Sequence, residues 1–336
     1  MKNILYFHPS SDLYGSDRGL LELVTKLDRF EFNPIVFLPW DGPLCRELEL
    51  SNIEFHIVPL VILNRQSTKL RNLFRIPLDS VKSVYVVKSF LKKKDVALIH
   101  TNTLAVLTGA LFALIFRIKH IWHVHEIILT PYIIKQLYKI LLLLLADKVV
   151  CVSRAVANNL GYVNKLRGNN VKVLLNPMIF FGNTTVSDGH FRALQAIPDV
   201  ALVIVLVGRI NRWKGQTLFI DAAHELYDRG YRDIYYFVVG SVVKGQEHLV
   251  SSLEEHIDSK NLSGSFKILD FSRNIGAVWS GCDVAVVPSI APEPFGLVAL
   301  EAMWASKPVV AADHGGLAEI VTPKTGFLFT PGDAIS

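Results

Sequence analysis

Residues Ala201-Leu202-Val203-Ile204-Val205-Leu206-Val207-Gly208-Arg209-Ile210-Asn211-Arg212-Trp213-Lys214-Gly215 open as an apolar run rich in valine and close as a basic turn between two glycines. An unbroken apolar run of this length fits a strand buried on both faces, as in a parallel sheet covered by helices. Residues 216–226 follow at once with helical spacing of apolar side chains, so strand, turn and helix come in the order of a βαβ unit. Similar short runs recur downstream at 235–239, 266–269, 284–287, 308–311 and 326–329. Upstream they occur at 3–7, 34–38, 55–58, 96–100, 120–124, 148–152 and 171–175. Both halves are therefore expected to be α/β. Residues 177–198, with Gly182, Asn183, Ser187, Asp188 and Gly189, have linker composition. The expected organisation is two doubly wound, Rossmann-like parallel-sheet domains, 1–178 and 179–336, facing one another across a cleft.

Composition narrows the function classes. The 336 residues are 51% hydrophobic and 19% charged with mean hydropathy +0.34, enough to bury a large core and too apolar for a disordered chain. Cys45, Cys151 and Cys282 form no C-x-x-C pair, so neither a disulfide framework nor a zinc knuckle is expected. The apolar stretches 104–118 and 133–146 fall short of the roughly 18 to 20 residues of a spanning helix. Residues 1–178 carry 23 Lys/Arg against 13 Asp/Glu, whereas 179–336 carry 12 against 17. That asymmetry gives the first half an anionic partner: a membrane surface, a phosphorylated substrate or nucleic acid. A solvated basic face is the alternative. Nucleic acid is set aside because no aromatic platform interleaves the cations. The absence of G-x-G and of any Gly-Lys pair removes the dinucleotide fingerprint and the P-loop. Absence of H-E-x-x-H and G-x-S-x-G removes the simplest zinc-protease and serine-hydrolase readings.

What remains points to a phosphate-bearing ligand. Arg209 and Lys214, on a strand-to-helix turn, can converge on one pyrophosphate, the first as a planar fork and the second as a point charge. Farther on, Pro292-Glu293-Pro294-Phe295-Gly296-Leu297-Val298-Ala299-Leu300-Glu301 keeps Glu293 in a loop and starts a helix near Leu297. The first N–H groups of such a helix suit a phosphate, and Gly296 lets a ligand approach the backbone. Glu301, a turn inside, can accept from two vicinal hydroxyls such as those of a ribose. The plainer alternative is a surface acid at Glu301 and a dipole-complementing one at Glu293.

Residues 201–333 resemble the donor-binding domain of retaining GT-B glycosyltransferases, specifically glycosyltransferase family 4, the group 1 family. The matching elements are Gly208-Arg209 with Lys214-Gly215, the E-x7-E pair Glu293 and Glu301, Ala305-Ser306-Lys307-Pro308-Val309-Val310, and Gly315-Gly316-Leu317-Ala318-Glu319. The resemblance implies that Arg209 and Lys214 hold the donor diphosphate, Glu301 the ribose and Glu293 the transferred sugar. Phe295, Gly296, Leu297 and Val298 complete the implied donor site. The first half resembles the family's acceptor domain more loosely. Gly15, Ser16 and Asp17 stand in an acceptor or phosphate loop where the family has a glycine-rich turn. His125, in His123-Val124-His125-Glu126, matches a position where the family often places a histidine near the transferred sugar. Strand alternation is taken to point His123 and His125 to opposite faces, which argues against a metal between them. The family continues beyond Pro331-Gly332-Asp333-Ala334 into further helices, so the donor domain is expected to be incomplete at its C-terminus, those helices missing.

The resemblance implies a retaining, hexosyltransferase-like enzyme. A sugar would pass from a UDP-, GDP- or ADP-sugar to a hydroxyl of a glycan or lipid-linked glycan, as in surface polysaccharide synthesis. Arg209, Lys214 and the helix N-terminus would stabilise the leaving diphosphate, so no metal and no cofactor are expected, and D-x-D is absent. The expected location is cytoplasmic, either free or peripheral on the inner face of the cytoplasmic membrane. Arg65, Lys69, Arg71, Arg75, Lys82, Lys88 and Lys92 to Lys94, beside Val81, Val84, Tyr85, Val87 and Phe90, suit a helix on an anionic surface, with the apolar segment from Tyr132 to Leu145 and its Lys135 and Lys139 nearby; ordinary amphipathic helices covering the sheet are the alternative. The alternatives are a sugar-nucleotide epimerase or hydrolase on the same scaffold, or a non-catalytic sugar-nucleotide-binding protein.

Overall fold

The structure, a computed structural model, describes residues 1–63, 76–91, 94–162, 170–176, 190–243, 245–270, 272 and 274–336. Arg65, Lys69, Arg71, Arg75, Lys92, Lys93 and the linker residues 177–189 lie outside the described residues. Every apolar run expected as a strand forms one, with bounds within two residues of the expected ones. The chain divides into two compact units, Met1–Ile179 and Phe180–Ser336.

In the first unit β1 (Lys2–Phe7), β2 (Phe32–Leu38), β3 (Glu54–Ile57), β4 (Val96–Asn102), β5 (His120–Val124), β6 (Lys148–Cys151) and β7 (Val171–Val173) pair in the order β3-β2-β1-β4-β5-β6-β7, all parallel. Alternation along β1 sorts its side chains between two cores. Leu5 and Phe7 pack on one face with Ile35, Phe37 and Ile99, beneath helix 76–91 and Thr108–Phe116. Ile4 and Tyr6 pack on the other with Val36 and Leu38, beneath α1 (Gly15–Thr25) and α2 (Pro43–Leu50). Both faces being dry, these strands read as continuous apolar runs.

The second unit holds β8 (Leu202–Val207), β9 (Ile234–Val239), β10 (Phe266–Leu269), β11 (Val284–Val287), β12 (Val309–Ala312) and β13 (Gly326–Phe329), in the order β10-β9-β8-β11-β12-β13 and again all parallel. Val203 and Val205 face one core with Phe237, Ala285 and Trp279, while Ile204 and Leu206 face another with Phe219, Ile220 and Leu253. In each sheet the strand order reverses beside the first strand, between β1 and β4 and between β8 and β11. Ligands bind outside the strand C-termini at such points.

On the surface, Lys94 is engaged by Glu54 at 2.5 and 2.6 Å and Lys88 lies 4.7 Å from the Phe116 ring, and both stay exposed. Cys45, Cys151 and Cys282 are free and buried.

Candidate active site

In the second unit the basic turn follows β8. The Asn211 side-chain oxygen accepts from the N–H groups of Trp213 (3.1 Å) and Lys214 (3.0 Å), closing the turn, and Gln216 Nε2 donates to the Arg209 carbonyl at 3.0 Å. Gly215 then starts the next helix, Gln216–Asp228, at φ +79°. A Cβ at Gly215 would lie 1.9 Å from the Pro288 carbonyl oxygen, so the turn rests directly on the backbone beyond β11.

That approach delivers Lys214 to Glu293. Lys214 Nζ donates to Glu293 Oε1 at 2.5 Å and sits 4.6 Å from the Trp213 ring centroid. The Ser289 hydroxyl donates to the same oxygen at 2.6 Å, while no described residue bonds Oε2. Glu293 is 5% exposed. A buried ion pair of this kind holds its geometry because moving either charge away strands the other. The turn after β12 clamps Glu293 from the other side: Gly316 N–H donates to its carbonyl at 2.7 Å, and Gly315 (φ +60°) leaves no room for a Cβ against it.

The helix Leu297–Trp304 starts from Gly296 at φ +102°. Leu297 and Val298 are its first residues, and N–H groups of a first helical turn have no partner within the helix. Phe295 is buried and packs the loop, so a ligand can meet its backbone but not its ring face. Glu301, one turn into that helix, is half-buried, as is Arg209. The second unit thus gathers Arg209, Lys214, Glu293, Gly296, Leu297, Val298 and Glu301 around the ends of β8 and β11.

Gly15, Ser16, Asp17 and His125 belong to the first unit. Gly15, Ser16 and Asp17 form the first turn of α1 rather than a loop: Tyr14 is the N-cap, and Asp17, third in the helix, accepts its N–H through Oδ2 at 2.7 Å in a capping box. Asp17 is only 1% exposed and its Oδ1 meets His8 Nε2 at 2.6 Å. His123 and His125 do not point to opposite faces. Their ring centroids are 4.3 Å apart, since residues two apart on a strand share a face. Even so, no group of three His, Cys, Asp or Glu able to hold a metal occurs among the described residues.

The same region holds polar groups that the sequence reading passed over. His8 follows β1, Asn102 ends β4, and the two are joined to His125 by hydrogen bonds of 2.9 and 2.8 Å. Burial pushes the His123 imidazole down to about 4. His125 is lowered well below its usual value, first by burial and then by neighbouring histidines. Glu126 is raised to about 7 by burial, against hydrogen bonds from the Leu104 and His125 N–H groups. The signal that would have found His8, Asn102 and Ser289 is position: each is a polar residue at or just past the C-terminal end of a parallel strand.

Comparison with known proteins places this arrangement. The model for "Glycosyl transferases group 1" matches residues 189–336 and that for "Glycosyltransferase Family 4" matches residues 14–178. The chain belongs to glycosyltransferase family 4. An uncharacterised glycosyltransferase of Methanocaldococcus jannaschii is similar to this family 4 member, 26% identical over 308 residues, 89% of this chain and 75% of that protein. The D-inositol 3-phosphate glycosyltransferase of Corynebacterium diphtheriae is 31% identical over 167 residues, 48% of this chain and 38% of that protein. The first two curated relatives are matched over under half of their own length, 44% and 38%. Anabaena HepE, solved with UDP and glucose, is 27% identical with a TM-score of 0.81, over 98% of this chain and 86% of HepE. The two parallel-sheet units match the GT-B glycosyltransferase fold.

Proposed function

We propose that this family 4 glycosyltransferase moves a sugar, with retention of its anomeric configuration, from a nucleotide diphosphate sugar to a hydroxyl of a glycan or lipid-linked glycan. The observation that carries the proposal is the buried Lys214–Glu293 pair beside the start of helix Leu297–Trp304, at the point where the sheet order reverses. In this reading Arg209, Lys214 and the first N–H groups of that helix receive the diphosphate as its charge grows, a preorganised electrostatic role. Glu301 takes the ribose. Glu293, fixed through Oε1, offers Oε2 to a hydroxyl of the transferred sugar, and His125 keeps the sugar contact that the family resemblance implies for it. HepE has been solved with UDP and with UDP-glucose, which favours uridine as the base. With two fixed cations supplied by the protein, the reaction runs without a metal.

The test is thermal-shift screening against UDP-, GDP- and ADP-sugars in EDTA, followed by transfer assays on a panel of glycan acceptors. A ligand at 100 times its Kd raises stability by about 2.7 kcal/mol, a shift easily read. The expected result is stabilisation by a UDP-sugar and transfer that persists in EDTA. Loss of transfer on chelation, restored by Mg²⁺, overturns metal independence. Donor turnover without acceptor points to an epimerase or hydrolase, and binding without turnover to a non-catalytic binder.

Membrane contact is a second part of this proposal. No helix among the described residues is long and apolar enough to cross a membrane. Helix Tyr132–Leu145, however, buries only Tyr138 and Leu142 and leaves Ile133, Leu137, Ile140 and Leu144 exposed along one face. Its own Lys135 and Lys139, and exposed Arg117 in the neighbouring groove that Leu144 also lines, supply cations beside that apolar stripe. An anionic lipid surface matches both features. In sedimentation with phosphatidylglycerol vesicles, Ile133→Ser with Leu144→Ser is expected to reduce binding at least fivefold. Equal sedimentation of the native chain with neutral phosphatidylcholine vesicles, or none with either lipid, would overturn an anionic docking site.

A further inference from the structure

The polar groups at the ends of β1, β4 and β5 form a single hydrogen-bonded chain. Asp17 Oδ1 meets His8 Nε2 at 2.6 Å, His8 Nδ1 meets Asn102 Nδ2 at 2.9 Å, and Asn102 Oδ1 meets His125 Nε2 at 2.8 Å. His8, Asp17 and Asn102 are each no more than 1% exposed. The three strands are neighbours in the sheet and the chain spans the place where its order reverses.

The direction of the bonds in this chain follows from two groups that can only accept, the Asp17 carboxylate and the Ser16 carbonyl. A carboxylate only accepts, so Asp17 requires a proton on His8 Nε2. The other His8 nitrogen, Nδ1, faces Asn102 Nδ2 and accepts from it. The Asn102 amide is held in that sense from a second side, because its Nδ2 also lies 3.4 Å from the Ser16 carbonyl oxygen, which can only accept. Its Oδ1 is thereby turned toward His125, and an amide oxygen requires a proton on His125 Nε2. The remaining ring nitrogen, Nδ1, is bonded by no described residue.

We propose that Asp17, His8 and Asn102 are positioning residues that lock His125 as its Nε2–H tautomer, so that Nδ1 is the atom that accepts a hydrogen bond from a sugar hydroxyl. The assignment rests on the reading that His125 contacts the transferred sugar. The low proton affinity that burial imposes on His125 agrees with a neutral ring. The two faces of the device do different work: the buried chain fixes the proton, and the free nitrogen is left for the ligand. An isolated histidine in water samples both tautomers, and a wrong tautomer would present a donor where the site needs an acceptor.

The tautomer is directly observable in the full chain by two-bond ¹H–¹⁵N correlation of ¹⁵N-histidine-labelled protein. The native protein is expected to show His125 as a single Nε2–H form. Asn102→Leu should release it to a mixture of tautomers and lower transfer from UDP-glucose tenfold or more, in kcat with KM for the donor little changed. Asn102→Asp keeps an acceptor for His125 Nε2–H and should hold the tautomer and recover part of the lost rate. In Asp17→Asn the single side-chain oxygen is claimed by either Tyr14 N–H or His8, so the polarity of the chain weakens and the Nδ1–H form of His125 should appear. A native His125 found as Nδ1–H, or a tautomer unmoved in both Asn102→Leu and Asp17→Asn, would overturn the positioning chain. Because the spectra need no substrate, they decide this separately from the parent reading. Full transfer by His125→Ala would instead overturn the contact between His125 and the sugar, whatever tautomer is seen.

Discussion

Lys214→Ala is expected to lower sugar transfer about a hundredfold, equivalent to about 2.7 kcal/mol of lost transition-state stabilisation. Two effects contribute. In the proposed reading a permanent cation is lost from the diphosphate site, and the Glu293 carboxylate, 5% exposed, loses the partner that holds Oε1 at 2.5 Å. The Ser289 hydroxyl still donates to that oxygen at 2.6 Å, so the second unit stays folded with a lowered melting temperature. Adding Glu293→Ala separates the two effects: the stranded carboxylate disappears and the melting temperature recovers in part, whereas transfer does not. Arg209→Ala, which removes a cation outside this pair, should cost about tenfold, near 1.4 kcal/mol. Full activity in Lys214→Ala with an unchanged melting curve would show that the diphosphate lies elsewhere.

The second large effect is one of backbone, not charge. Gly215→Ala introduces a Cβ 1.9 Å from the Pro288 carbonyl oxygen at a residue whose φ is +79°. Neither partner is a flexible side chain, so the turn that carries Lys214 must move away from the segment leading to Glu293. A residue forced into this region costs roughly 1 to 3 kcal/mol before the clash is counted, so a loss of about 3 kcal/mol in unfolding free energy is expected. Transfer should fall with it, because the Lys214–Glu293 contact depends on that approach. Gly230→Ala is the control: its φ is +94° but nothing lies within 4 Å of the new Cβ, and its cost should be about 1 kcal/mol with transfer unaffected. Denaturant melts and transfer assays on both variants measure the difference. Equal stability of the two variants would mean that the close approach at Gly215 is not a constraint.

The sequence was sufficient for the architecture because parallel strands buried on both faces leave an unmistakable trace. Val203 to Val207 or Val284 to Val287 read as apolar without alternation, and each lies where the sheet is covered by helices on both sides. Arg209, Lys214, Glu293 and Glu301 stand out as candidates for a related reason: charged residues and glycines at or just past a strand-to-helix junction lie where parallel sheets bind ligands. The direction of Lys214 toward Glu293, 79 residues later in the chain, was not legible. It follows from the adjacency of β8 and β11, which no local pattern encodes.

The first unit divides in the same way. Residue types and strand ends were fixed by the sequence, including the histidine at position 125 and the carboxylate at position 17. Their roles were not. Asp17, expected in a ligand loop, is buried by the fold as the third residue of α1, where it accepts the Tyr14 N–H and partners His8. His123 and His125 were placed on opposite faces by a misapplied alternation, whereas the two-residue spacing puts their rings 4.3 Å apart. The physical reason is range: periodicity and turn chemistry act over a few neighbouring residues and are written into the chain. The hydrogen bonds from Asp17 through His8 and Asn102 to His125 exist only because the sheet brings β1, β4 and β5 side by side, and their direction is set by which buried atoms can donate.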